Sequence, residues 1–220
     1  MQVKTAALRA KGDSISATYA TPFHFLARDE PMVFKSRASR EQFHKFVLSM
    51  PDLRIERDHQ GTVTIYPPMT FDSGYIEGEV FGMLRDWSKT NKLGRAFSPS
   101  TSFDMPDGAE YKADGAWVSM EKINAMTPEE RKHIAAVVPD FVMEVRSETD
   151  RINRLKKKMV EGWMANGVQL AWLIDPIKQR AWVYRLGQAA PQEFSNFEAV
   201  LSGEAVLPGF ELKLNDLKNG

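Results

Sequence analysis

The chain is predicted to adopt an α/β (α+β) fold with a mixed, bent β-sheet flanked by helices and extended by β-hairpins. Short apolar runs with period-two alternation recur between residues 53 and 184. Two amphipathic helical stretches, around 72–89 and 151–163, interrupt them. A hydrophobic content of 43% is enough for a full core. At 220 residues this is read as one domain, 38–220, preceded by a weakly patterned N-terminal arm, 1–37.

The elements follow in chain order. Residues 1–35 show no sustained period and are read as a loose arm or added edge structure. Ser39 caps a short helix to Ser49 that buries Phe43, Phe46 and Val47, and Pro51 and Asp52 stop it. Residues 53–57 and 62–66 alternate and are joined by a polar turn ending in Gly61, which predicts a β-hairpin closed by Pro67 and Pro68. A helix then starts at Asp72 or Ser73 and runs to about Lys89, with Ile76, Val80, Met83, Leu84 and Trp87 on its apolar stripe. Gly74, Gly78 and Gly82 each cost that helix about 1 kcal/mol against alanine. They are read as a bare face where a sheet or a second subunit comes close.

Strands are expected at 95–98, 102–105 and 113–119, the last carrying Asp114, with a turn at 106–108. A polar helical stretch opening at Thr127 leads to Pro139. A strand at 141–144, a basic helix and two strands at 170–175 and 181–184 follow, and the tail is read as short β pieces ending in a small helix.

Composition narrows the chemistry. With 29 basic and 29 acidic residues, no broad charge field draws the chain to nucleic acid, and any such contact needs a local patch. The absence of cysteine removes disulfides, thiolate zinc sites and thiol nucleophiles. No apolar run approaches the roughly 18 residues of a membrane span, and residues 1–14 lack a signal-peptide apolar core. The expectation is a soluble, cytoplasmic protein that does not engage membranes. The four histidines show no paired ligand spacing, no phosphate-cradling glycine loop is present, and Gly12-Asp13-Ser14 lacks the strand–turn–helix setting of a hydrolase serine.

Three acids fall within apolar, strand-like runs: Glu56, Asp114 and Glu144. A carboxylate taken into a sheet is costly unless paired or metal-bound. Each, taken singly, is accounted for by facing solvent or pairing with Arg54, Arg57 or Arg146. Together, before a lysine-bearing helix, they match the layout a metal-dependent phosphodiesterase needs, with hard oxygen ligands and a nearby cation, and equally that of an ordinary βαβ unit with a solvated helix face. On that helix Ile152, Leu155, Met159 and Trp163 form the buried stripe, Lys157 projects away, and Lys156 and Lys158 flank it. Periodicity does not choose between those two lysines.

Six segments, in order and spacing, resemble the Uma-two family, a bacterial restriction-endonuclease group of the PD-(D/E)xK nuclease superfamily. They are Leu53-Arg-Ile-Glu-Arg, Ala113-Asp-Gly-Ala-Trp-Val-Ser, Pro139-Asp-Phe-Val-Met-Glu-Val-Arg-Ser-Glu-Thr-Asp, Lys158-Met, Asn166-Gly-Val-Gln-Leu-Ala-Trp-Leu-Ile-Asp-Pro and Leu201-Ser-Gly-Glu-Ala-Val-Leu-Pro-Gly-Phe. The likeness spans about residues 38–217.

The resemblance implies a restriction-endonuclease-like core. Asp114 and Glu144 are then metal-binding carboxylates holding Mg²⁺ or Mn²⁺, with the Val145 carbonyl beside them. The superfamily's strand lysine has moved to the following helix, which singles out Lys158; Arg146 occupies the strand position. Glu56 and the helix acid Glu79 resemble further acids of the family's site. Ala113 replaces the commoner proline, and the helix between Lys158 and Gly167 is one residue longer than the family pattern. The expected activity is metal-dependent hydrolysis of phosphodiester bonds in DNA, with Lys158 orienting water or stabilising charge on the phosphate. The alternatives are a binding module that keeps the fold without turnover, or a self-associating protein, with a homodimer through the glycine face and exposed aromatics such as Trp182 and Tyr184.

Overall fold

The computed structural model describes residues 31–219. Most of the expected arm, including Gly12-Asp13-Ser14, lies outside the described residues. Its end forms strand β1 (Met32–Lys35), which adds to the edge of a sheet.

Helix α1 (Arg40–Ser49) starts at Ser39 in a full capping box with Gln42. Strands β2 (Ile55–Arg57) and β3 (Thr62–Ile65) make the expected hairpin, and Gly61 supplies its positive φ of 76°. Helix α2 (Phe71–Asn91) begins earlier than expected because Thr70, rather than Asp72 or Ser73, accepts the capping bond from Ser73 N–H. Strands β4 (Gly94–Phe97), β5 (Phe103–Asp104), β6 (Glu110–Tyr111) and β7 (Gly115–Ser119) follow. Helix α3 (Met120–Ala125) is capped by Ser119, and β8 spans Phe141–Val145.

The helix expected from Thr127 to Pro139 does not form. A capping box between Thr127 and Glu130 closes, but only one 3-10 turn, Glu130–Lys132, follows it. Asp104 N–H donates to the Ala135 carbonyl and Phe103 bridges Ala135, so this stretch is drawn out beside β5. Val137, Val138 and Pro139 add β-branching and the restriction that precedes proline.

The basic helix α4 (Ile152–Lys157) passes into a π-helical turn, Lys158–Trp163, and a 3-10 turn, Met164–Asn166, ended by Gly167 at φ 94°. The i→i+5 bonding of the π turn takes up one more residue than an α turn. Strands β9 (Leu170–Asp175), β10 (Arg180–Arg185), β11 (Gln192–Phe194), β12 (Val200–Ser202) and β13 (Glu211–Lys213) precede the small terminal helix, Leu214–Asn219.

The strands divide among a five-stranded sheet, β1-β3-β2-β6-β5, a six-stranded sheet, β11-β10-β9-β8-β7-β4, and the ribbon β12-β13. The six-stranded sheet is mixed: β8 and β9 are parallel, joined by the α4 crossover, and its other pairs are antiparallel. Alternation sorts its residues by face. Phe141, Met143 and Val145 pack under α2 and the C-terminal segment, where Trp172 stacks on Phe210 at 5.5 Å and 9°. Val142, Ala171, Leu173 and Ala116 face Leu155, Met159 and Trp163 of the basic helix. A third cluster, Phe43, Val47, Ile55, Val63 and Ile65, seats α1 on the smaller sheet.

Trp182 and Tyr184, expected as exposed aromatics, are buried on β10, and the glycine face of α2 does not receive the sheet. A Cβ built on Gly78 or Gly82 meets nothing within 4 Å among the described residues. No helix among the described residues is long and apolar enough to cross a membrane.

Candidate active site

Glu144 shares the parity of Val142 on β8, so it faces the basic helix rather than α2. Asp114 stands one residue before β7 and shares the parity of Ala116. The antiparallel ladder pairs Gly115 with Met143, so its next step sets Asp114 across from Glu144. Register and a two-residue period therefore put both acids on one face at the sheet's end. Gly115 permits the approach, because a Cβ there would sit 2.2 Å from Met143 Cε.

Asp114 and Glu144 are 3% and 1% exposed. Asp114 Oδ2 accepts the Val145 N–H at 2.6 Å, and its Oδ1 accepts Arg54 Nη1 at 2.7 Å. Val145 thus enters the cluster through its amide. Glu144 Oε1 lies 2.7 Å from Lys158 Nζ and accepts the Trp163 indole N–H at 2.8 Å.

Lys158 also donates to Glu56 Oε1 and to the Lys112 carbonyl, each at 2.9 Å. Three N–H groups thus meet three acceptors. The choice left open by periodicity is settled geometrically: Lys156 Nζ lies 4.0 Å over the Trp182 ring instead. Lys158 and Trp163 are five apart, which on an α-helix would set them about 140° apart. The π turn between them, with its i→i+5 bonding, brings both onto one face.

Glu56, on β2, is buried; its Oε2 accepts the Tyr66 hydroxyl at 2.8 Å. The helix acid is a correction. Glu79 is exposed, and among the described residues no hydrogen bond or ion pair joins it to the cluster. Ile76, Val80, Leu84 and Ser88 define the buried arc of α2. At about 100° per residue, Glu77 falls within that arc and Glu79 about 60° outside it. Glu77 Oε2 lies 3.8 Å from Arg54 Nη1 and is buried without a hydrogen-bond partner among the described residues. Arg146 is likewise turned away, its Nη1 donating to Asp175 at 2.8 Å.

Arg54, noted in the sequence only as a neutralising partner, is central. Its Nη2 donates to the Lys112 carbonyl at 3.3 Å and lies 3.7 Å from Glu56 Oε1 and 3.9 Å from Glu144 Oε2. The guanidinium stands 5.1 Å over the Tyr66 ring. One signal for it was available: an arginine two positions before Glu56 shares that acid's side of the strand.

Four carboxyl groups (Glu56, Glu77, Asp114, Glu144) thus face two cations. Burial pushes Glu77 up to about 8, and the neighbouring charge of Asp114 adds to the rise. Burial also pushes Glu144 up to about 7; Lys158 opposes that rise, and Asp114 and Glu56 reinforce it. Burial pulls Lys158 down, but Glu144 and Glu56 outweigh it and leave the amine raised.

The donor set fits a divalent cation. It offers two buried carboxylates of hard oxygen character, more acids than cations, and an orphaned oxygen on Glu77. Among the described residues no three His, Asp or Glu side chains form a cage by themselves. A cleft lined by Arg54, Tyr66, Pro67, Met69, Asp114, Glu144, Ser147 and Asp150 opens onto these groups.

A mixed sheet ending in paired buried acids, beside a helix that delivers a lysine to them, places the chain in the restriction-endonuclease-like class of folds. More narrowly, residues 40–215 match the Uma2 family, described as "Putative restriction endonuclease", and the chain belongs to that family. Among solved structures it is similar to "a putative nuclease belonging to DUF820" from Anabaena variabilis, with a TM-score of 0.68 and 21% identity over 83% of this chain and 98% of that one. A DrdV–DNA complex matches at a TM-score of 0.38 and 13% identity, over 57% of this chain and 10% of that one, and supports no further argument. No curated protein matches the chain.

Proposed function

We propose that the chain is a divalent-metal-dependent nuclease acting on phosphodiester bonds of DNA. The carrying observation is that the amide of Val145, next to Glu144, holds Asp114 while Lys158 holds Glu144 in the same buried cluster. Asp114 and Glu144 would hold Mg²⁺ or Mn²⁺, with the Val145 carbonyl and Glu77 as further oxygen donors. A bound ion would supply polarisation of the phosphate and a lowered pKa for water.

The side chains take distinct roles. Lys158 carries a raised pKa and all three of its protons are engaged, so it is an ammonium and no general base. It fixes Glu144 and Glu56 and offsets charge through its field. Glu56, locked by Tyr66 and Lys158, is a positioning group. Trp163 orients Glu144 from the opposite end of the π turn.

The test is cleavage of plasmid and single-stranded DNA with Mg²⁺ or Mn²⁺ by the wild type, Asp114→Asn, Glu144→Gln and Lys158→Met. Equal activity in all four removes the assignment. The Arg54 guanidinium on Asp114 favours a second reading, a DNA-binding module without turnover. Absence of Mn²⁺ binding at millimolar concentration in titration calorimetry would select it. A homodimer through the bare glycine face of α2 accompanies the proposal, and a monomer mass by light scattering removes it.

A further inference from the structure

Arg54 and the Val145 amide together occupy both oxygens of Asp114, whereas Lys158 takes Oε1 of Glu144, so the conflict with metal binding is sharpest at Arg54. Its Nη1 holds Asp114 Oδ1 at 2.7 Å, and a divalent ion on that oxygen would sit about 2.0–2.2 Å from it. Two cations cannot share that side of one oxygen without strong repulsion. The guanidinium also lies within 4 Å of Glu56, Glu77 and Glu144. It therefore touches every acid of the cluster.

Arg54 differs from Lys158 in freedom. Lys158 is 7% exposed at its side chain with its three donors satisfied, whereas Arg54 is 21% exposed and lines the cleft. Its Nε is buried with no hydrogen-bond partner among the described residues, so the present seat leaves that donor unused there. Planar guanidinium is suited to bidentate contact with phosphate oxygens.

Resting on the metal-dependent reading above, we infer that Arg54 is a resident counter-cation. It neutralises the acids in the metal-free protein, is displaced from Asp114 when a divalent ion enters, and is thereby freed toward phosphate in the cleft. Metal loading and phosphate capture are then two ends of one side-chain movement.

The experiment is Mn²⁺ titration calorimetry on wild type, Arg54→Met, Arg54→Lys and Lys158→Met, with thermal unfolding of each with and without Mn²⁺. Arg54→Met is expected to bind Mn²⁺ at least about tenfold tighter and to melt lower without metal, with a larger Mn²⁺-induced rise. Arg54→Lys, a single point charge, is expected between the two. An Arg54→Met protein that folds only with Mn²⁺ supports the exchange; if it folds in neither condition, Arg54→Lys decides. Mn²⁺ binding by wild type with equal or weaker binding by Arg54→Met overturns the inference and leaves the metal reading intact. Equal tightening by Lys158→Met also overturns it, because removal of any positive charge would then suffice. Binding by none of the proteins removes the metal reading and the inference with it.

Discussion

Lys158 and Trp163 meet on the same oxygen of Glu144, at 2.7 Å and 2.8 Å, although five residues separate them. The π turn makes this possible. An α turn would require a spacing of four.

Removing one exposed residue from that turn should therefore be tolerated. Deletion of Val160, 52% exposed, is expected to restore an α-helix with the lysine and tryptophan at i and i+4. Stability should change by no more than about 2 kcal/mol and cleavage should persist. Trp163→Phe, which keeps the ring and loses the N–H, should cost about 1–3 kcal/mol. Chemical denaturation and plasmid cleavage check both; loss of folding in the deletion would disprove the spacing account.

Lys158→Met leaves a buried carboxylate without its partner. A loss of about 3–5 kcal/mol is expected, with cleavage abolished. Glu144→Gln combined with Lys158→Met should be more stable than Lys158→Met alone, because the uncompensated charge is gone. A double-mutant cycle in urea measures the coupling.

Glu77 and Glu144 hold their protons more tightly when folded than when unfolded, at about 8 and about 7 against an ordinary value of 4.5. The folded state therefore binds more protons between those limits, and the stability of the metal-free protein should fall as pH rises from about 4.5 to 8. Below 4.5 both states are protonated and this contribution is flat. A Mn²⁺ ion bound as proposed would compete with those protons, so its affinity should rise from pH 6 to pH 8.5. Melting curves and calorimetry across that range test the two slopes; a stability that climbs with pH would contradict them.

Glu77→Gln should weaken Mn²⁺ binding, whereas Glu79→Gln should leave binding and cleavage at the wild-type level. Calorimetry on the two variants separates neighbouring acids on one helix.

The fold and three acids of the buried cluster are legible in local pattern. Asp114, Glu144 and Glu56 stood out as acids in apolar runs, and those signals need only a period of two. Lys156 and Lys158 stayed tied because a regular helix treats them almost symmetrically; the choice follows from what lies across from each, Trp182 or Glu144. Family likeness points to Glu79, whereas the buried arc of Ile76, Val80 and Leu84 brings Glu77 to the cluster. The strand at Glu110–Tyr111 was too short for any period to register. The helix expected after Thr127 had a sound cap, and a long-range bridge to Phe103 overrode it.

The stack of Trp172 on Phe210 bears on how far the polypeptide tolerates trimming. Phe210, Leu212, Leu214 and Leu217 form the rear wall behind the strands that carry Glu144. A fragment ending near residue 196 would keep every acid and lysine named above and still collapse, because its central strands would be stripped bare on one side. The shortest self-sufficient piece must reach Leu217.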